Sequence, residues 1–524
     1  MRGEVQGSSF QTPAAVCRSR PLLPGPMPMK KGFWLIAFLA AWPCSPVRAS
    51  VLNDIGYTRL QAALGPGGGT GAGVAVSQIE ASTSGAGNPP AYLPDAANGA
   101  FTGKTITDVT GGGVISGHAT SVGQRFYGNG GSTAPGIDTI HVYEANDWLG
   151  GFLFGVANGL PKASSERVAN HSYAGATTAL ADNAAILARV DYLVDRDDYI
   201  QVVALNNGSS PKPLLSNSYN AIAVGRTDGH HPRGTMAIDG FYTNGRTRPD
   251  LVAPENTTST ATPRVASAAA LLVGHGHNHA GLSHGSTTNR KGDIIRNAER
   301  SEVIKAALMA GADAGTHNTA GADISDYRAV DHRTANGLDD RYGAGQLDLF
   351  NSYRIIDGGE HDGGGDLGTV SSEGLYGFDH GDLAGTGTAD YRFTTGGEAA
   401  WIKATLAWNL LVDLNASSAS LFDLDLFLYD ADGALVAQSA SARDNTENLW
   451  LMLDPNRQYR LRVALADGQA TGPDYGLAWR VTAVPLPAAF WLFISALVGF
   501  LVIQRRNPRE DEEPPPSTRA KRRS

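Results

Sequence analysis

The sequence predicts an α/β domain with a central parallel sheet and helices on both faces over residues 50–357, followed by a smaller all-β sandwich over 358–483. Three observations carry this expectation. A chain of 524 residues exceeds one ordinary hydrophobic core and calls for two or three folded units. Its first half alternates short apolar runs with a longer Ala- and Leu-rich stretch, the strand, helix, strand order that builds parallel sheets. Its second half shows short runs with apolar residues at every second position and turns between them.

In chain order, residues 73–79 follow the Gly-rich run 65–73 and read as a buried strand ending at Glu80. Residues 176–194 read as a helix, and 199–204 and 221–224 as two more strands. Residues 265–273 form a further Ala- and Leu-rich helix, with Pro263 expected near its first turn, where a missing N–H costs nothing. The Gly-rich stretch 358–374 reads as a linker. Beyond it, Ile402, Ala404, Leu406 and Trp408 share one strand face, and Phe422, Leu424, Leu426 and Leu428 another. Residues 430–433 supply a turn, and Tyr459, Leu461, Val463 and Leu465 a further half-buried strand.

The two ends direct the chain out of the cytoplasm. Lys30 and Lys31 precede an apolar run at 33–42, and Val47-Arg48-Ala49 supplies small or apolar residues where a signal peptidase reads, so 1–49 is expected to be a removable leader. That run falls short of the about 20 residues of a spanning helix, which argues against an N-terminal anchor. Both cysteines, Cys17 and Cys44, fall in the leader, so the mature chain is expected to hold no disulfide, thiol nucleophile or Cys-ligated zinc. Between Ala49 and the strand at 73 there is no space for a separate folding pro-domain.

At the other end, Val484-Pro485-Leu486-Pro487 leads into an apolar stretch at 488–503 and then Arg505-Arg506. The stretch is about one bilayer core long, and the arginines are expected to stay cytoplasmic with the tail 507–524. This tripartite end, 484–506, resembles the PEP-CTERM class of sorting signals in a Val-Pro-Leu-Pro variant. The resemblance implies a Gram-negative envelope and processing by an exosortase; the alternative is a permanent transmembrane anchor through 488–503. A net charge of −9 with 18% charged residues argues against a general nucleic-acid binder, which needs a basic face for phosphates.

Four polar groups carry chemistry. Ser259 stands just ahead of the helix at 265–273, where backbone N–H groups and the helix dipole favour negative charge. His118 opens a small-residue segment, Glu80 closes a strand, and Asn207 follows the strand at 199–204 with a carboxamide donor. In parallel sheets reactive groups gather at the carboxyl ends of strands.

That order and those surroundings resemble the subtilase family of serine peptidases. The matching segments are Gly73-Val74-Ala75-Val76 with Glu80, His118-Ala119-Thr120-Ser121-Val122, Asn207, and Thr257-Thr258-Ser259-Thr260-Ala261-Thr262-Pro263. Asn170-His171-Ser172-Tyr173-Ala174-Gly175 is similar to the family's substrate-side strand, and Gly343-Ala344-Gly345-Gln346-Leu347 to its domain ending. The resemblance spans roughly residues 65–357. It implies a subtilisin-like sheet and a serine endopeptidase in which Ser259 is the nucleophile, His118 its base and Glu80 the acid that holds the imidazolium. The same resemblance implies that Asn207 and the Ser259 N–H receive the oxyanion, and that Ser172, Tyr173, Ala174 and Gly175 bind substrate peptide. It further implies that the bond-breaking step requires no metal or other cofactor.

Three departures separate the chain from the family pattern. Glu80 replaces an Asp and is one methylene longer, Thr257 replaces a Gly beside the nucleophile and adds a Cβ, and Ala119 and Ser121 alter the histidine segment. The competing reading is therefore an inactive subtilase-fold protein that serves the envelope as a binding or adhesion module. A glycosidase finds no paired carboxylates at matching strand ends. His275, His277, His279 and His284, with His230 and His231, have spacings open to a transition metal but read better as solvated loops. Asp423, Asp425, Asp430 and Asp432 offer hard oxygens for a structural Ca²⁺, although exposed strand and turn acids are the commoner explanation.

Overall fold

The computed structural model describes residues 50–484, apart from 66, 85–87, 156–158, 384–386, 416 and 467–471. The leader at 1–49, the sorting and spanning segment from 485 to 506 and the tail at 507–524 lie outside the described residues. Among the described residues no helix is long and apolar enough to cross a membrane.

Seven strands form the first sheet: β1 (Val76–Glu80), β2 (Thr105–Asp108), β3 (Thr139–Glu144), β4 (Val168–His171), β5 (Ile200–Ala204), β6 (Ile222–Arg226) and β7 (Leu251–Ala253). Their spatial order is β2-β3-β1-β4-β5-β6-β7, and every neighbouring pair is parallel. The helices that position the site are α1 (Gly117–Phe126), α2 (Leu180–Asp197) and α3 (Thr258–Asn278). Successive strand residues point to opposite faces, which explains why both faces are apolar. Val168, Val202 and Ile222 pack with Val265, Ala266 and Leu272 of α3, whereas Ala169, Val203 and Ala223 pack with Ile186, Val190 and Leu193 of α2.

Helix α2 begins four residues later than the sequence suggests, because Thr177 is engaged otherwise. Its N–H donates to Asn183 Oδ1 at 3.1 Å and its hydroxyl to the Ala179 carbonyl at 2.7 Å. Such local bonds from a Thr compete with helix.

The second part is a sandwich of two sheets. Its strands are β8 (Asp366–Thr369), β9 (Leu375–Asp382), β10 (Thr388–Thr394), β11 (Ala400–Trp408), β12 (Leu424–Asp430), β13 (Leu435–Ser439), β14 (Thr446–Leu453), β15 (Gln458–Leu465) and β16 (Asp474–Ala483). One sheet runs β8-β10-β15-β12-β13, the other β9-β16-β11-β14. The alternating residues meet as expected: Leu424, Leu426, Leu428, Leu461 and Val463 face Ile402, Ala404, Leu406, Leu477 and Trp479 in one core.

The stretch 358–374 is not a loose linker. It contains β8, paired in parallel with β10, and the Glu360 N–H donates to the Leu282 carbonyl at 3.1 Å. Glycine here serves conformation rather than slack: Gly368 sits in β8 at φ 95°, where a side chain would be strained.

The outer face of the second sheet packs on helix α4 (Ser301–Gly311), every residue of which is buried. Phe378, Ala407 and Ala478 of the sandwich share a core with Val303, Ile304 and Ala307 of α4. The sandwich therefore buttresses the α/β part directly.

Candidate active site

Strand β1 delivers Glu80 at its carboxyl end, with the carboxylate 1% exposed. Glu80 Oε2 lies 2.8 Å from His118 Nδ1, and Oε1 accepts from Gln78 Nε2 at 2.9 Å. His118 is the second residue of α1, whose start is fixed by Ser116, its Oγ accepting from the Ala119 N–H at 3.3 Å. Gln78 ties strand to helix: its Nε2 also donates to the Ala119 carbonyl at 2.8 Å, and its Oε1 accepts from Tyr127 Oη at 2.5 Å.

Burial pushes the Glu80 carboxyl above its ordinary range, while bonds from His118 and Gln78 oppose that rise. The hydrogen bond to Glu80 holds the His118 imidazole above its usual value, against partial burial. The longer acid is thus accommodated, with both carboxylate oxygens engaged.

Ser259 is the second residue of α3, inside its first turn rather than ahead of it. Thr257 is the N-cap. Its backbone is extended, at φ −141° and ψ 154°, so no left-handed conformation demands glycine here. The Thr257 hydroxyl accepts from the Thr260 N–H at 3.2 Å, and Thr260 Oγ1 accepts from the Thr257 N–H at 3.3 Å. Threonine at 257 therefore starts the helix that carries Ser259.

With the helix starting at Thr258, Pro263 falls in the second turn, not the first as the sequence suggests. It removes the N–H that the Ser259 carbonyl would accept four residues on. Ser172 fills that role: its Oγ donates to the Ser259 carbonyl at 3.0 Å, and Asn170 Nδ2 donates to Ser172 Oγ at 2.9 Å. The substrate-side segment is thereby tied to the backbone of Ser259. Replacing Ser172 by alanine leaves this carbonyl unpaired and is expected to lower stability by about 1–3 kcal/mol, read by chemical denaturation.

Asn207 follows β5, and its Oδ1 accepts from the Thr258 N–H at 3.0 Å. That bond orients the carboxamide and leaves Nδ2 as the group on offer beside the helix start. Tyr173, Ala174 and Gly175 are half-buried, and the Gly175 carbonyl accepts from the Leu214 N–H at 3.0 Å. Among the described residues no hydrogen bond joins His118 to Ser259.

Helices α1 and α3 pack against each other, and Glu255 joins them. Its Oε1 accepts from Arg125 Nε of α1 at 3.1 Å and from Arg264 Nε of α3 at 2.9 Å. Sequence reasoning missed Gln78, Tyr127 and Glu255. A polar side chain two before Glu80, on the same face of the strand, is the signal that points to Gln78. The other two act across long sequence separations and leave no local mark.

Among the described residues these histidines do not converge in a group of three ligand atoms. Helix α3 runs through Asn278, so His275 and His277 lie in its last turn rather than in a solvated loop. His275 is buried and pairs with Asp357 at 3.0 Å, His277 pairs with Glu299 at 3.2 Å, and His284 pairs with Asp362 at 2.7 Å. Imidazoles suit this end of a helix, where carbonyls concentrate negative charge. His231 is buried as well, between the Arg226 N–H and the Arg341 carbonyl, and burial pushes it down to about 4.

Among the described residues, one acid and histidine group brings three ligand atoms together, Glu302, His380 and Asp474. Arg300 already neutralises it, at 2.9 Å from Asp474 and 3.3 Å from Glu302. Asp423, Asp425, Asp430 and Asp432 do not form such a group. Asp430 Oδ1 instead accepts from the Asp432 and Ala434 N–H groups of the turn at 430–433.

No family model and no curated protein matches the chain. Solved structures similar to it include a protease from Pseudoalteromonas arctica, 13% identical with a TM-score of 0.34, the match covering 55% of this chain and 91% of that one. The PatG macrocyclase in complex with peptide is 11% identical with a TM-score of 0.33, over 54% of this chain and 91% of that one. Tripeptidyl peptidase 2 is 9% identical with a TM-score of 0.28; the match takes in 70% of this chain, which spans 40% of that protein's length. Values this low leave the geometry of the site as the ground for a functional reading.

Proposed function

We propose that the chain is an exported serine endopeptidase acting through Ser259, His118 and Glu80, with Asn207 as oxyanion donor. The single observation that carries this reading is the 2.8 Å bond between a buried Glu80 and His118 Nδ1, made on a helix that packs against the one whose first turn holds Ser259.

With Nδ1–H donating to Glu80, His118 Nε2 carries the lone pair that takes the proton from Ser259 Oγ. The serine oxygen attacks the peptide carbonyl, whose oxygen becomes negative. Asn207 Nδ2 and the Ser259 N–H, which has no intrahelical acceptor in the first turn, receive that charge. His118 then gives its proton to the departing amine, and water repeats the sequence on the acyl-enzyme. In unliganded sites the bond between nucleophile and base is often long and tightens when substrate seats. The peptide lies along Tyr173, Ala174 and Gly175, while Ser172 holds the nucleophile's backbone. Export through the leader 1–49, and sorting or anchoring through 484–506 with an exosortase as partner, belong to the same reading.

The test is hydrolysis of unfolded casein by the mature chain and by Asn207→Ala. Loss of one oxyanion donor is expected to lower kcat by about 10²–10³-fold with little change in KM. A wild-type chain that folds but releases no peptides overturns the reading.

A further inference from the structure

Where α4 ends, the outer face of the second sheet runs on uncovered and carries an aromatic cluster. Trp401 of β11 and Trp450 of β14 stack with ring centroids 4.9 Å apart and planes inclined by 18°. Tyr327 meets Trp450 edge-on at 5.1 Å. Trp401 is 38% exposed, and its cross-strand neighbour Met452 is 58% exposed. Strand β11 is paired on both sides, so the indole is held on a rigid element rather than a loop. A clustered aromatic patch left in water on such an element signals a ligand.

Beside the rings lies a cavity of about 260 Å³, lined by Asp313, Trp401, Lys403, Trp450, Arg480 and Thr482. Arg480 donates through Nε to the Ala310 carbonyl at 3.0 Å, and through Nη2 to the Ala312 carbonyl at 2.9 Å and to Asp313 Oδ1 at 3.1 Å. Its Nη1 is left without a protein acceptor among the described residues. Lys403 is buried, with its Nζ donating to the carbonyls of Ala312 and Ala344, and burial pushes its pKa well down and so disfavours the charged form. The cavity therefore offers an aromatic plate, a guanidinium donor beside a carboxylate, and a hydroxyl, with the ionic charges paired.

We infer that this cavity is a subsite for a neutral pyranose ring of a glycan. A pyranose has a face of C–H groups that packs on an indole by dispersion and exclusion of water. Its ring-edge hydroxyls donate and accept at once, matching Asp313, Arg480 and Thr482 side by side. A purely apolar ligand leaves those polar groups stranded. An anion meets the Asp313 carboxylate, and a cation gains nothing from Arg480. The subsite is separate from Ser259 and independent of whether the chain cleaves peptides.

The test is titration of the mature chain with chitotetraose, cellotetraose and mannotetraose, followed by tryptophan fluorescence and calorimetry. At least one sugar is expected to bind saturably, and Trp401→Ala to weaken it at least tenfold with the melting temperature retained. Trp401→Phe keeps an aromatic face and is expected to bind with intermediate affinity, while Ser259→Ala binds as the wild type does. The inference is overturned if none of the sugars binds, if Trp401→Ala binds unchanged, or if a proline-rich peptide but no sugar titrates the fluorescence.

Discussion

Replacing Ser259 by alanine is expected to reduce peptide hydrolysis by about 10⁶-fold in kcat while leaving the fold intact. The side chain lost is small and sits in the first turn of α3, whose start is held by Thr257, Thr260 and Ser172 and not by the Ser259 hydroxyl. A fall in activity with unchanged circular dichroism and melting temperature is therefore a loss of chemistry. His118→Ala is expected to fall by a similar factor. The double variant should be no slower than either single one, because nucleophile and base act as one unit. Additive losses would separate the two residues and undo their assignment.

Glu80→Gln carries the second large effect, about 10⁴-fold in kcat. The amide is nearly the same size but offers an N–H where His118 needs an acceptor, so the imidazole turns to the wrong tautomer. The pH dependence checks the cause. Hydrolysis needs neutral His118, so kcat/KM rises as pH passes upward through its pKa. The bond to Glu80 raises that pKa, which places the wild-type rise above the about 6.5 of a free imidazole. Without the carboxylate, the residual activity of Glu80→Gln should rise at lower pH than the wild type. A variant with wild-type rate and an unmoved profile would show that Glu80 does not act on His118.

Much of this site is legible in the chain because each group sits where local signals are strongest. Glu80 ends a strand, His118 and Ser259 open helices, and Asn207 follows a strand, so turn and capping chemistry mark their places. Two of the three departures find a place in the structure. Thr257 replaces a Gly where the backbone is extended, and Glu80 finds His118 at 2.8 Å despite its added methylene.

The clamp of Gln78 and Tyr127 joins residues 49 apart, and Glu255 bridges two helices, so neither has a sequence period to reveal it. The carbonyl that Pro263 orphans is legible only once the helix start is known, and its partner Ser172 lies 87 residues away. The linker reading failed because glycine richness signals freedom in sequence, while β8 uses it for a left-handed turn inside a strand. The histidines after 274 were hidden by glycines at 274 and 276 that stay helical under close packing.

The central claim is an activated serine, and the most direct measurement is reaction of the folded mature chain with a fluorophosphonate, with the adduct mapped by peptide mass spectrometry. A single adduct on Ser259, absent from His118→Ala and much reduced in Glu80→Gln, is the predicted result. No adduct on a well-folded chain, or an adduct on another serine, would contradict the peptidase reading and favour a fold kept for binding alone.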